Sequence, residues 1–183
     1  MADRHREAFD RHVADIALQF EKVHHAWPEL RDALRRDVDA EFARLPRMLS
    51  AEETDVFLRA FESKTPEIRL ATRALWHQLK RMERIVARWN VRLHQTQQLV
   101  LHRREQLQRL ERTSLASSSF LRTAKDRVRW AEGELHGWEQ RISTMERMVM
   151  EWSGRLRALD LEINGEIERV VAVIRAHGPM AIA

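Results

Sequence analysis

No proline occurs between Pro66 and Pro179, and a single heptad register can be written from residue 68 to residue 177 without a slip. Its a positions include Leu79, Val86, Leu93, Val100, Leu107, Val128, Ile142 and Ile163. Its d positions include Leu75, Met82, Trp89, Ala131, Trp138, Met145, Trp152 and Leu159. Of the 32 seam sites 25 are apolar, so this stretch is committed to helices that bury one narrow stripe against another helix. The exceptions are Thr72, Thr96, Arg103, Ser114, Ser117, Glu166 and His177.

A run of serines at 114 and 117–119 interrupts the charged pattern but not the register. Serine side chains bond nearby backbone groups and favour turns and caps over helix interiors. One straight helix over 66–177 would be about 165 Å long and would need a partner along its whole seam. In a parallel dimer Trp138 would meet Trp138 and Arg103 would meet Arg103. Folding back at 114–117 places a opposite d, with the numbers of facing residues adding to about 231. Val100 then meets Ala131, Leu93 meets Trp138, and Trp89 meets Ile142. Layer volumes are more even, as dense packing requires. An offset of one heptad, with sums near 238, is the alternative. The sequence therefore predicts an antiparallel coiled-coil hairpin over 66–177 with its turn near 114–119.

Before Pro66 the apolar steps are shorter-ranged. Phe9, Val13, Ile16, Phe20, Val23 and Trp27 recur every three or four residues, predicting a helix over about 3–26. Pro28 lacks the N–H that would continue the ladder and suits a first helical turn, so a second helix is expected over 28–44, stopped by Pro46. "SAEE" at 50–53 reads as a capping box that opens a third helix over 51–63. "TPE" at 65–67 puts Thr65 at an N-cap and Pro66 at the first helical position. The expected fold class is all-α. Three short N-terminal helices (residues 1–65) form a head packed on the long hairpin (66–177), where Ile163, Ile167, Val170, Val171 and Ile174 give an apolar overhang. A flexible tail follows over 178–183.

Charge is distributed in blocks. Residues 69–130 carry 15 Lys/Arg against 4 Asp/Glu, whereas residues 132–168 carry 4 against 9 and residues 1–65 carry 11 against 14. A basic block between acidic ones implies an anionic partner or pairing between helices of the chain itself. There is no cysteine, which excludes a disulfide framework, a thiolate metal site and a cysteine nucleophile, and fits a cytoplasmic protein. No run of 18 apolar residues exists, so membrane insertion is not expected.

Catalytic patterns are lacking too. The five glycines, at 133, 137, 154, 165 and 178, form no phosphate loop. "EKVH", Glu21 to His24, matches one Glu-x-x-His element of di-iron bundles, but such sites need two elements and two further carboxylates. His24 and His25 beside Trp27 read instead as the end of a helix, where His complements the negative pole. No enzyme activity, cofactor or metal is expected.

Contact is the expected function: a protein–protein adaptor or assembly subunit, with another protein as partner and self-association as a further possibility. Candidate partner-binding residues are Leu115 and Phe120 at the tip, ringed by Arg103, Arg104, Arg109, Arg112, Arg122 and Arg127. Trp130 joins them because it lies outside the seam where no third helix is expected. The alternative is nucleic-acid binding through Arg69, Arg73, Lys80, Arg81, Arg84, Arg88 and Arg92, which recur along one stretch of helix and could follow phosphates.

Overall fold

The computed structural model describes residues 2–44, 48–113 and 117–177 and, for residues 2–5 and 41, the backbone alone. Among the described residues all regular structure is helical, in four helices: α1 (Ala2–Arg44), α2 (Ala51–Glu62), α3 (Pro66–Arg112) and α4 (Ser118–Ala176). Of the described seam positions only Ser117, Val173 and His177 are exposed, so the heptad pattern marks the buried stripe of α3 and α4. Expectations that rest on Pro46, on Ser114 and Leu115, and on the tail 178–183 lie outside the described residues. The chain divides into two compact units. One comprises the chain up to Lys80 together with the part from Trp152 onward; the other is Arg81–Glu151.

In the first unit α1 and the end of α4 run in the same direction. Phe20 meets Trp152 edge-on at 5.6 Å, Trp27 Nε1 donates to Glu162 at 3.1 Å, Arg35 pairs with Glu166, and Phe42 stacks on His177 at 4.1 Å. Trp27, Leu34, Val38, Leu75, Ile163, Ile167 and Ile174 are buried in this unit. α2 begins at the expected capping box: the Glu53 N–H donates to Ser50 Oγ at 3.2 Å, and Ser50 N–H donates back to the Glu53 carboxylate at 2.8 Å. Phe57 of α2 stacks on Phe42 of α1 at 5.4 Å. α3 opens at Pro66, but the Thr65 hydroxyl does not cap it. That side chain is buried and donates to the Glu62 carbonyl at 3.0 Å, closing the α2–α3 connection instead.

The largest departure from expectation is α1, which is one helix of 43 residues with Pro28 inside it. Two helices therefore precede Pro66, not three, and His24 and His25 lie mid-helix, not at a helix end. A proline inside a helix costs about 3 kcal/mol, because it removes one backbone bond and crowds the carbonyl four residues before. Fully burying one large apolar side chain is worth roughly 1.5–3 kcal/mol. Val23 and Trp27 before Pro28, and Leu34 and Val38 after it, are all buried, while Pro28 itself is exposed. One stripe runs through the proline in phase, and breaking the helix there would take half of it off α4.

In the second unit α3 and α4 are antiparallel. Asn90 donates to Glu146 at 3.1 Å, Arg104 to Glu132 at 2.6 Å, and Lys125 lies 3.5 Å from Glu111. In each of these pairs the residue numbers add to 236. Long side chains on a helix lean toward its N-terminus, so flanking pairs between opposed helices carry sums a few above that of the seam layer between them. The observed pairs correspond to layers near 231; an offset of 238 would require the side chains to lean the other way. Trp89 and Trp138 fall in neighbouring layers of that register and touch edge-on, 5.0 Å apart. α4 starts with the Ser117 carbonyl accepting from Phe120 and Leu121, and the Ser117 and Ser119 hydroxyls bond each other at 2.9 Å.

Candidate functional site

The two flanks of the seam in the second unit are chemically different. One flank, at the e positions, is closed by the three cross-helix polar pairs just described. The other flank carries Leu99 of α3 and Phe120 and Arg127 of α4, all at g positions and all exposed. Trp130 stands beside them. At 100° per residue Phe120, Arg127 and Trp130 fall within an arc of about 80° on α4, spread over about 15 Å of its length. Phe120 is 68% exposed and Trp130 is 64% exposed, so about two thirds of each residue faces solvent. An aromatic pair with an arginine between its members has the composition of binding hot spots.

The remaining predicted residues do not all gather there. Arg104 donates twice to Glu132 on the opposite flank, so its charge is matched within the chain. Arg109 lies 3.9 Å from Glu105 one turn away on the same helix. Arg103, a seam residue, is half-buried, its long stem suited to cover the stripe while the guanidinium reaches water. Arg112, Arg122 and Arg127 are exposed and make no ion pair among the described residues. Leu115 lies outside the described residues. Val91 and Leu101 of α3 are also exposed, at 59% and 51%; at f and b positions they fall outside any seam rule, so the heptad pattern does not single them out.

The basic residues of α3 stay open. Among the described residues none of Arg69, Arg73, Lys80, Arg81, Arg84, Arg88 and Arg92 forms an ion pair, and all seven are exposed. They lie at positions away from the buried seam, Arg69, Arg73 and Lys80 in the first unit and the other four in the second. Acidic side chains of the acidic blocks are used elsewhere. Glu132 takes Arg104, and Glu166 takes Arg35 and Arg169.

Glu166 shows how the first unit tolerates a charge at a d position. Its side chain is buried, and a bond from Arg35, with the nearby charges of Arg169 and Arg31, holds the carboxyl below its ordinary range although burial alone would raise it. The Arg35 guanidinium is held above its ordinary value by the same bond.

On the first unit α1 and α4 also border an open hollow of about 690 Å³, lined by Phe20, Glu21, His24, His25, Pro28, Arg155, Ala158, Leu159 and Glu162. Glu21, His24 and His25 each present a ligating atom, all within 4.8 Å of one another. The helix expected over 3–26 already carries all three residues, but a lone Glu-x-x-His element makes no di-iron site, so the sequence does not single them out. No protein-family model matches the chain, and no curated protein or solved structure does so either.

Proposed function

We propose that the protein is a non-enzymatic interaction subunit, an adaptor or assembly element, whose partner protein docks on the unpaired flank of the second unit. The reading rests on one observation: Leu99, Phe120, Arg127 and Trp130 remain exposed on the flank that, among the described residues, no cross-helix polar pair closes. Solvated aromatic side chains at this spacing gain most when a partner removes them from water, at roughly 25 cal/mol per Å² of apolar surface covered. The partner that fits offers an apolar groove for the rings and a carboxylate for Arg127. In this reading the second unit is part of a coiled-coil hairpin, and the protein works in the cytoplasm.

A second reading has one specific observation in its favour. The seven basic side chains of α3 lack acidic partners among the described residues, which leaves them free to neutralise phosphates of a nucleic acid. One experiment separates the two. The untagged chain and a Phe120→Asp, Trp130→Asp variant are used to capture binders from host lysate, with and without nuclease. A protein retained by the wild type, lost with the variant and indifferent to nuclease supports docking on the flank. Capture that survives the double substitution removes that site, and capture that disappears with nuclease replaces it with the basic face.

A further inference from the structure

We propose that Glu21, His24 and His25 form a binding site for a borderline transition-metal dication, with Zn²⁺ the best match. The site is built by one helical turn of α1. Side chains on a helix lean toward its N-terminus, so His24 and His25 reach down over the turn that carries Glu21, three and four residues earlier. One ligand atom of each residue, either ring nitrogen serving for a histidine, already lies within 4.8 Å of the others. A tetrahedral ion with bonds of about 2.0–2.1 Å needs its ligands roughly 3.4 Å apart, a closure that exposed side chains make by rotation alone.

Three local features prepare the ligands. His25 Nδ1 lies 2.8 Å from the Glu21 carbonyl, which can only accept, and 3.5 Å from the Glu21 carboxylate, so Nδ1–H is directed at Glu21 and Nε2 is the ring nitrogen left to face a metal. This is the orienting bond that metal-bound imidazoles commonly make with a backbone carbonyl. The His24 ring stacks on Phe20 at 5.7 Å, 18° from parallel. Pro28 has no N–H for the carbonyl of His24, so the turn that carries both histidines lacks one backbone bond.

The surroundings suit a cation that keeps an open position. Glu162 lines the same hollow, and its Oε1 is fixed by Trp27 Nε1 at 3.1 Å. Arg155, the cation lining the hollow, sits with its guanidinium carbon 5.0 Å over the Trp152 ring. Two imidazoles and one carboxylate are a donor set for zinc with a water or an outside ligand in the fourth position, and imidazole also suits nickel and copper. The hard ions magnesium and calcium prefer all-oxygen sites and are not expected to compete.

The test is calorimetric titration of the untagged full chain with zinc chloride at neutral pH. One zinc per chain is expected, with a micromolar dissociation constant, weakened about tenfold or more by His24→Ala and by His25→Ala. His136→Ala, which removes a histidine of the second unit, leaves it unchanged. Since both histidines are exposed, circular dichroism of the variants should match the wild type. Nitrogen-correlated spectra of the wild-type imidazoles give a second reading that needs no variant, with zinc moving the His24 and His25 signals first. Zinc binding that survives loss of both histidines, imidazole shifts confined to other histidines, or no binding at millimolar zinc each overturn the assignment.

Discussion

Glu166 is the one acidic residue on the long seam, and its position explains its chemistry. An isolated carboxylate at a d site would be costly to bury, yet here it receives a bond from Arg35 of α1 and lies 3.4 Å from Arg169 one turn along α4. Because its pKa is held below the ordinary glutamate value near 4.5, its contribution to stability is complete above that value and is lost as the pH falls through the lowered one. Thermal stability should therefore fall on the acid side, below about pH 4.5, and Glu166 should add no pH dependence near neutrality. Buried ion pairs are often replaced by well-packed apolar groups at no loss or with a gain. Glu166→Leu, which restores an apolar d residue, is expected to change stability by about 1 kcal/mol or less, or to raise it, and to flatten the acid limb. Arg35→Ala should destabilise instead, because it removes the principal bond to a buried carboxylate and leaves only the nearby charges of Arg169 and Arg31. Urea unfolding at pH 7 and pH 4 checks both. A Glu166→Leu protein that loses several kcal/mol would show that the pair carries more of the fold than its geometry indicates.

At the scale of elements, what the sequence made legible follows from what kind of signal each element gives. The seam of α3 and α4 was legible because a period sustained over sixteen heptads averages out single exceptions such as Arg103 and Glu166. The start of α2 was legible because a capping box is local chemistry. α1 was misread because the proline rule is local while the force that overrides it is not. Trp27 and Leu34 bury against other helices on both sides of Pro28, and no rule applied to the stretch "WPEL" contains that. Of the candidate contact residues, exposure at Phe120 and Trp130 could be read from their position off the seam, but the loss of Arg104 to Glu132 depends on which helix faces which and at what offset. If tertiary burial holds α1 together, Pro28→Ala should stabilise the protein by about 1–2 kcal/mol, less than the full helix-interior cost because proline also restricts the unfolded chain. A rise in the urea midpoint with unchanged helix content is the expected result. No change, or a fall, would mean that Pro28 is accommodated without strain.

For the whole molecule the two units differ in how completely the same kind of seam is buried. Leu75, Leu79, Leu156, Ile163 and Ile174 in the first unit are buried, several of them fully, whereas Leu93, Leu107, Leu110, Leu121 and Leu135 in the second are only half-buried. An antiparallel pair of helices covers each stripe from one side, while a helix packed among several neighbours is covered from more. Local opening free energies track buried apolar contact, so the amides of 100–112 and 118–135 should exchange with deuterium well before those of 68–79 and 156–174. This gradient also bears on function. A half-buried stripe next to exposed Leu99, Phe120 and Trp130 is where an added surface gains most, and ordering that segment is part of what binding must offset. Hydrogen exchange on the free chain should therefore show low protection in the second unit, and protection there should rise selectively when a captured partner is added. Uniform protection across both units of the free protein would mean that the second unit's pair of helices is already complete, and would remove the energetic reason for a partner to dock on it.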